Sequence, residues 1–522
     1  MAQGGGGDDA GSVPGYSWYA LGVLFLVYMT NFIDRQILSI LANDIKADLD
    51  LTDADLGFLY GTAFAIFYAL FGIPLGRLAD GWNRTRLLSL GLLLWSGMTT
   101  LSGFARDGVT LALARVGVGV GEASANPCAY SLISDWFPAR RRALALSIYS
   151  SGLFLGSGLS LLIGGLVVER WNAAYPSGAP LGLAGWQAAF IAVGLPGLVL
   201  AAWVLFLKEP ARGARDGFGD RLAARPWAGF LRQVGEIVPP FTLIGAYRRG
   251  GGALLANLAV AAVLAVLALA ADRLAALGAQ GWTIAVGAYA LYSWAAALRR
   301  DDPPTFRLTW GAPAFISIVL VYAAISYVGY TVTYWASPYA ERTFGYSKAE
   351  LGWLIGAPAA IGGFLGVVLG GWLADHMGQR WTHGRLLVLL LGLAGPVPLV
   401  LIAYQTGDGA AFLVCSFLLQ FATSSALGAA AAASQALVLP HMRGTATAIF
   451  LLGATLIGLA FGPFVAGYVS ETTGSLGTGV IANLAAVPVG LIALWIAIAR
   501  YGRELEDRDE RASQAGATLS LR

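Results

Sequence analysis

The sequence predicts an all-α integral membrane protein, made of two six-helix bundles with an extra helical hairpin between them. Three observations predict this fold: the composition, the number of apolar segments and an internal repeat. Of the 522 residues, 57% are hydrophobic and only 12% are charged, and the mean hydropathy is +0.67. Soluble domains carry about a quarter charged residues. The chain therefore has too little charge to cover a soluble surface.

The apolar segments set the number of membrane spans, because a helix needs about 20 apolar residues to cross the hydrocarbon. Six segments come first, two follow as a hairpin, and six more complete a total of fourteen. The middle pair could instead consist of surface or buried helices. The segments run approximately over 18–42, 54–79, 86–105, 111–134, 143–168, 186–207, 252–271, 281–298, 312–336, 350–374, 385–403, 409–434, 445–470 and 476–499.

The segments and the charges between them predict domains and orientation. Most of the 33 Lys and Arg residues fall on one side when the N-terminus is placed inside. This bias predicts a multi-pass protein of the plasma (inner) membrane with both termini in the cytoplasm. The predicted domains are a flexible N-terminus (1–17), a first bundle (18–207), a linker (208–311) with the hairpin at 252–298, a second bundle (312–499) and a tail (500–522). The linker around 227–237 reads either as a helix on the membrane surface or as a loop.

An internal repeat relates the two bundles. At a shift of 295 residues, Leu56-Gly57 matches Leu351-Gly352, and Gly61 matches Gly356. Later in the chain, Pro138 and Arg141 match Pro440 and Arg443 at a shift of 302. Repeats of this kind are typical of secondary transporters, which expose a central site to each side of the membrane in turn. The sequence therefore predicts a transporter that works by alternating access.

The same repeat predicts a gate at the end of the second helix of each bundle. Small residues there allow close helix packing, and a carboxylate can pair with arginines of the next loop, where Arg385 is a further candidate. Such a cluster can hold one conformation closed and must break in the other. The predicted gate residues are Gly76, Asp80, Arg84 and Arg86 in the first bundle and Gly371, Asp375 and Arg380 in the second.

Four charged residues lie inside apolar segments of the first bundle: Asp34, Arg35, Arg115 and Glu122. Ionisable groups are costly in lipid and are functional candidates by default. Arg115 and Glu122 are seven residues apart and so lie on one face of a helix. We predict Asp34 and Glu122 as proton-binding groups, with Arg35 and Arg115 as their charge partners or as ligands of an anionic headgroup. The alternative is a permanent ion pair, such as Asp34 with Arg115, that only braces the helices.

The second bundle offers aromatic and small polar side chains opposite these charges. A wall of this kind facing a charged wall suits an amphiphile with a polar head and a long tail. The alternative is that these side chains only pack helices. The predicted substrate cavity consists of Asn31, Tyr327, Tyr330, Tyr334, Thr423 and Ser424.

Several function classes find no support in the residues. The two cysteines and three histidines lack metal-binding or nucleophile spacing, so we expect no cofactor beyond protons as the coupling ion, and no enzyme activity. A net charge of +3 gives no reason to expect a nucleic-acid partner. The expected partners are a small amphiphilic substrate and the lipid bilayer, and the chain is expected to be a monomer. A membrane receptor or enzyme is the remote alternative.

Several motifs resemble those of a known family. Gly76-x-Leu78-Ala79-Asp80 and its counterpart after Gly371 resemble the loop signature of the major facilitator superfamily, as does Arg115-x-x-x-Gly119. A finer resemblance is to its Spinster branch. It rests on Asn31-Phe32-Ile33-Asp34-Arg35, Trp95-Ser96, Gly117-Val118-Gly119-Val120-Gly121-Glu122-Ala123-Ser124 and Ser134-Asp135-Trp136-Phe137.

This resemblance implies a twelve-helix fold and proton-coupled transport of lysolipid-like or sphingolipid-like amphiphiles. A drug or metabolite antiporter of the same superfamily is the second expectation. Two features depart from the family pattern. Gly81 stands where a basic residue is usual, and the segment 252–298 is an insertion.

Overall fold

The structure, a computed structural model, describes residues 13–212 and 225–516 and contains no strand within those ranges. The predicted N-terminus, linker and tail therefore lie partly outside the described residues. Seven helices form the first half: α1 (Gly15–Leu49), α2 (Asp53–Gly81), α3 (Arg84–Ser102), α4 (Gly108–Glu122), α5 (Ala125–Trp136), α6 (Ala139–Ala174) and α7 (Gly185–Leu205).

The described parts of the linker and the second half are also helical. The linker region holds α8 (Pro226–Ile237), α9 (Thr242–Arg249), α10 (Gly251–Ala275), α11 (Gly278–Asp301) and α12 (Pro303–Leu308). The second half consists of α13 (Pro313–Phe344), α14 (Lys348–Arg380), α15 (Gly384–Ala403), α16 (Gly409–Ala436), α17 (Arg443–Thr473) and α18 (Leu476–Glu506), and α19 (Arg508–Gln514) follows it.

Within the described ranges, eleven helices are long and apolar enough to cross a membrane. The remaining predicted segments are also helical, as α3, α4 with α5, and α11, and the count of fourteen spans stays a prediction. The continuous helix predicted over 111–134 is wrong, because α4 ends at Glu122 and α5 begins at Ala125. Ser124 lies in the break, where its hydroxyl donates to the carbonyl of Gly121 at 2.8 Å.

The sequence repeat corresponds to matching local structure in α2 and α14. Each begins with a capping box, Thr52 with Asp55 and Ser347 with Glu350. In this motif two side chains satisfy amides that the first helical turn leaves free. A π-helical turn follows in each, over Phe58–Thr62 and Gly352–Gly356. Such turns widen a helix locally and are frequent at functional sites.

The inserted hairpin, α10 with α11, packs against the boundary between the halves. The side chain of Gln280 donates to the carbonyl of Ala460 at 3.5 Å, and the Tyr468 hydroxyl donates to the carbonyl of Ala275 at 3.1 Å. The linker stretch that could be a helix or a loop is helical, as α8, and its Trp227 lies 5.3 Å from Trp82 at the end of α2. The hairpin therefore contacts α17, and α8 beside it contacts the end of α2.

Candidate transport site and gate

A buried ion pair joins α1 to α4. A guanidinium nitrogen of Arg35 donates to the Glu122 carboxylate at 2.7 Å, and these side chains are 9% and 0% exposed. The Arg35 guanidinium also lies 4.4 Å from the centre of the Phe64 ring and 4.8 Å from that of Phe32. Burying two charges is costly, and breaking such a pair leaves an uncompensated charge. Neutralising Arg35 or Glu122 would therefore leave the other residue as an unpaired buried charge.

The second pair of predicted charges behaves differently. Asp34 and Arg115 are both fully buried, but in the part of the chain that the structure describes no hydrogen bond reaches the Asp34 carboxylate. Arg115 instead donates to the backbone carbonyl of Asp34 at 3.3 Å. The permanent Asp34–Arg115 ion pair that the sequence left open is thus not the one formed. As predicted, Arg115 and Glu122 share a face of α4, since both contact α1.

A cavity of about 130 Å³ lies between the halves and has Arg35 in its wall. Three predicted cavity residues, Tyr330, Thr423 and Ser424, line it together with Tyr322 and Phe154. The cavity thus combines one charged group of the first half with aromatic rings and small polar groups from both halves. This combination can hold both the polar and the apolar part of an amphiphile.

The other predicted cavity residues lie elsewhere. Tyr334 is fully buried, its ring stacks on Tyr60 at 4.2 Å, and its hydroxyl donates to the carbonyl of Leu56 at 3.2 Å. It therefore helps to join the halves beyond the cavity. Asn31 is buried one helical turn before Arg35, and Tyr327 is half-buried and outside the cavity lining.

A chain of neutral polar groups crosses between the halves beside the cavity. The Tyr60 hydroxyl donates to Gln36 at 2.9 Å, and Gln36 donates to the carbonyl of Thr333 at 3.0 Å. The Thr333 hydroxyl donates to Gln420 at 3.1 Å, and Gln420 donates to Ser424 at 3.2 Å. Gln36 was missed as a site residue because the search of the first half's apolar segments followed charge. An uncharged amide inside such a segment was the available signal.

Two seams close one end of the molecule, the end that holds the last residues of α1 and α13. In seam one, α2 packs on α17. Arg342 donates to both carboxylate oxygens of Asp53 at 2.8 and 2.9 Å, and Ser470 and Lys46 donate to the same carboxylate at 2.6 and 2.7 Å. The last residues of α13 are thereby tied to the start of α2.

In seam two, α14 packs on α6. The ammonium of Lys348 lies 3.1 Å from the Asp44 carboxylate and 2.9 Å from that of Glu341. The backbone amide of Ala349 donates to Glu169 at 2.9 Å. Among the described residues, every hydrogen bond between the two halves lies from the middle of the molecule to this end. We call it the closed end and the opposite one the open end.

Repeated glycines let the backbones approach in both seams. A Cβ on Gly57 would lie 2.5 Å from the carbonyl oxygen of Pro463, and one on Gly356 would lie 2.6 Å from that of Gly158. Gly352 is equally confined by the backbone of Leu162. Small residues four apart are the usual means of close helix approach in membranes. The repeat predicted from Gly57, Gly61 and their counterparts thus lies at the closed end.

The predicted gate residues lie at the open end, and those of the first copy make other contacts than expected. Arg84 is fully buried and pairs with Glu209 at 2.7 Å and with Asp135. No ion pair links Asp80 to Arg84 or to the exposed Arg86 in residues 13–212, and the Asp80 backbone carbonyl accepts from Arg212 at 2.8 Å. The first gate loop is thus held by residues that follow α7, which lie too far along the sequence to be foreseen.

In the second copy of the gate, the charged side chains are more exposed than Arg84 in the first copy. Asp375 lies 3.6 Å from Arg385, both side chains are partly exposed, and Arg380 is exposed. A Cβ on Gly371 would meet no atom within 4 Å, whereas one on Gly76 would approach Pro127 to 3.8 Å. A side chain would therefore fit at either glycine without a clash in the conformation seen, in which this end of the halves is apart.

The chain is similar to known proteins in both sequence and fold. A family model described as the Major Facilitator Superfamily matches residues 24–301 and 314–521. The chain belongs to the major facilitator superfamily. An MFS-type efflux pump of Mycolicibacterium smegmatis is 30% identical to this transporter over 499 residues, which cover 94% of this chain and 95% of the pump.

Two further comparisons place the transporter within the superfamily. A solved structure of a bacterial homologue of the human lysosomal transporter Spinster, described as inward-facing and unoccupied, matches 96% of this chain and 99% of its own, with 26% identity and a TM-score of 0.68. The sphingosine-1-phosphate transporter of Danio rerio is 30% identical over 209 residues, 40% of this chain and 39% of that protein. This protein is therefore a Spinster-like transporter rather than an enzyme.

Proposed function

We propose that the transporter moves an amphiphilic, lipid-like molecule by alternating access, coupled to protons through Asp34 and Glu122. The observation that carries this proposal is the Arg35–Glu122 ion pair at a cavity whose other lining residues are aromatic, apolar or neutral polar. A cation already paired with a carboxylate cannot bind an anionic headgroup at full strength. A proton on Glu122 would end that competition, so substrate and proton would bind together.

The rest of the cavity supports an amphiphile in particular. Tyr322, Tyr330 and Phe154 offer apolar surface for a chain, while Gln420 and Ser424 offer hydrogen bonds near Arg35. The similarity to a sphingosine-1-phosphate transporter supports lysolipid-type or sphingolipid-type substrates. In this proposal protons are the coupling ion, no cofactor or nucleic acid takes part, and the transporter acts as a monomer.

The proposed orientation follows from the basic residues of the sequence. If both termini are cytoplasmic and all fourteen segments span the inner membrane, the open end faces the cytoplasm and the closed end faces outside. The conformation seen is then inward-facing, as the solved Spinster homologue is described. The two seams are the outer gate, and the loops at Asp80 and Asp375 belong to the inner gate.

Efflux of a drug or a metabolite is the second candidate. It is favoured by the 30% identity to an efflux pump along almost the whole chain. The two candidates differ at Arg35, because a hydrophobic cation has no use for a free guanidinium, whereas an anionic headgroup requires it. Competition between a lysolipid and a hydrophobic cation for the purified protein therefore separates them.

The test is uptake into proteoliposomes under an imposed pH gradient, across a panel of lysolipids and hydrophobic cations. We expect the gradient to drive lysolipid accumulation. Glu122→Gln should abolish the response to the gradient, and Arg35→Gln should abolish lysolipid binding. Glu506→Gln, at an exposed carboxylate far from the cavity, is the control and should behave as the wild type. Retained coupling in both Asp34→Asn and Glu122→Gln would contradict the proposal.

A further inference from the structure

The insertion, which departs from the family pattern, crosses one side of the molecule. Near its start, α11 touches α17, where Gln280 donates to the carbonyl of Ala460 at 3.5 Å. Seven residues later it touches α2, because a Cβ on Gly287 would lie 2.6 Å from the end of the Ile66 side chain. The other helix of the hairpin, α10, is apolar and largely exposed, as at Val263. The hairpin therefore lies across the outer face of seam one.

The repeat allows this side of the molecule to be compared with the other. Ile66 of α2 matches Ile361 of α14 at the shift of 295 residues. Ile66 is 1% exposed beneath Gly287, whereas Ile361 is 56% exposed. One turn further along, Leu70 is buried and its counterpart Leu365 is exposed. The apolar face of α2 is thus covered, whereas the matching face of α14 is open to the bilayer.

The cavity reaches seam two but not the helix that completes seam one. Among the described residues, α6 and α14 both line it, for example through Phe154 and Val367, whereas α17 contributes no lining residue. The Phe154 ring packs into seam two, because a Cβ on Gly363 would lie 2.3 Å from it. The next residue of each helix, Leu155 on α6 and Phe364 on α14, is exposed. The Phe154 ring therefore lies between the cavity and the exposed surface of seam two.

We propose that the inserted hairpin keeps lipid out of seam one, so that a lipid-like substrate passes between the bilayer and the cavity along seam two, past Phe154. An apolar chain is costly to expose to water. Such a substrate therefore moves from the bilayer through the side of the protein rather than through its aqueous opening. This inference rests on the proposed function, because it takes the substrate to be lipid-like, and it gives the insertion a role.

The first test measures which side chains meet lipid. The wild type is placed in bilayers that contain a phospholipid with a diazirine in its acyl chain, and light converts the diazirine to a carbene that inserts into neighbouring residues. Insertion should be strong at Ile361 and Leu365 and close to background at Ile66 and Leu70. Val263 of α10 is the control and should be labelled, because it lies on the exposed face of the hairpin. Comparable insertion at Ile66 and Ile361 would overturn the cover.

The second test measures entry itself. A lysophosphatidate with a fluorescent chain is mixed with the transporter in nanodiscs, and the rates of its binding and release are followed. Leu155→Cys, made together with Cys128→Ala and Cys415→Ala, carries a bulky maleimide at the edge of seam two. Both rates should fall about tenfold while Kd stays within about twofold, because an obstacle raises the barrier without changing either end state.

Matched labels keep the second test informative. Phe364→Cys carries the same maleimide on the α14 side of seam two and should also slow both rates. Ile457→Cys is the control, because it matches Leu155 at the shift of 302 and is exposed on α17. Since α11 already crosses seam one, a label on Ile457→Cys has no path to block, and both rates should equal those of the unlabelled protein.

The outcomes separate this inference from the proposed function. Equal slowing by labels at positions 155 and 457, or slowing by neither, would overturn the path along seam two and leave lysolipid binding intact. A wild type that binds no lysophosphatidate would overturn the proposed function and the substrate path with it, while carbene insertion would still test whether the hairpin covers seam one.

Discussion

The two seams of the closed end share one backbone plan but carry opposite charges. Asp53 and Lys348 occupy matching positions of the 295-residue repeat, and each passes its backbone carbonyl against a glycine, Gly467 and Gly165, that match at a shift of 302. Asp53 nevertheless pairs with a cation of the second half, Arg342, whereas Lys348 pairs with an anion of the first half.

The difference shows that both seams require the glycines of the repeat, whereas the sign of the charge at each repeat position can vary. Close backbone approach depends on the absence of a side chain, so the glycines recur in both seams. An ion pair needs opposite charges but not a particular sign on either helix. Each seam could therefore satisfy the same geometry with its charges exchanged, provided that both members changed together.

The largest effect should follow from adding a side chain at a glycine of a seam. Gly57→Ala places a Cβ 2.5 Å from the backbone of Pro463, where no side-chain rotation relieves the clash. Overpacking of this kind costs about 1–3 kcal/mol, so the closed end should open and transport should fall about tenfold or more. Proteoliposome uptake measures the loss. Gly72→Ala is the control on the same helix, because nothing lies within 4 Å of its Cβ; an equal loss there would contradict the seam.

The next largest effect should come from the ion pair of seam one. Asp53→Asn leaves Arg342 and Lys46 without their shared carboxylate, while Lys348→Met removes a cation from Asp44 and Glu341. We expect Asp53→Asn to open the closed end more, because its carboxylate accepts from side chains of three helices, α1, α13 and α17. Distances between spin labels at Asp50 and Thr343, both exposed, would report the opening. A larger change in Lys348→Met would reverse this ranking.

Additivity should show whether the seams are separate. Asp53→Asn and Arg342→Gln share one ion pair, so their combined effect on the closed population should fall short of the sum by about 0.5–3 kcal/mol. Asp53→Asn and Glu169→Gln lie in different seams and should add. Asp44 does not suit this comparison, because Lys348, Glu341 and Asn43 link it to Arg342. The same label pair measures both cycles. Strong coupling between the two seams would mean that they close as one unit.

The smallest effect is expected at the rim of seam one. The Lys46 side chain is 35% exposed and lies 2.7 Å from Asp53. Exposed ion pairs contribute about 0–1 kcal/mol, and Arg342 still neutralises the carboxylate. Lys46→Met should therefore change uptake less than about threefold, and added salt should change the mutant less than the wild type. A loss comparable to that of Asp53→Asn would show that Lys46 is essential to the seam.

The sequence predicted much of this architecture because lipid imposes simple rules. Apolar length located the helices, and the cost of charge in lipid singled out Asp34, Arg35, Arg115 and Glu122. The glycine repeat pointed to α2 and α14 before any contact was known. These features depend on local composition, which one sequence shows directly.

The pairing of those residues could not be read in the same way. Rise per residue gives depth but not the side of α1 that faces α4, so it did not distinguish Arg35–Glu122 from Asp34–Arg115. Arg84 pairs with Glu209, which lies 125 residues away in sequence. A search limited to the loop next to Arg84 could not identify this partner. At the break, the Ser124 hydroxyl donates to the carbonyl of Gly121. Serine can make such a local bond inside a helix or at its end, so the residue type alone did not locate the break.

The most direct test of the account is the proton balance of substrate binding. The transporter in weakly buffered nanodiscs is mixed with a lysolipid that carries an anionic headgroup, and the pH of the medium is followed. If a proton on Glu122 frees Arg35 for the headgroup, binding takes up protons in the wild type and takes up fewer or none in Glu122→Gln. Binding without proton uptake in the wild type, or uptake unchanged in Glu122→Gln, would contradict the account.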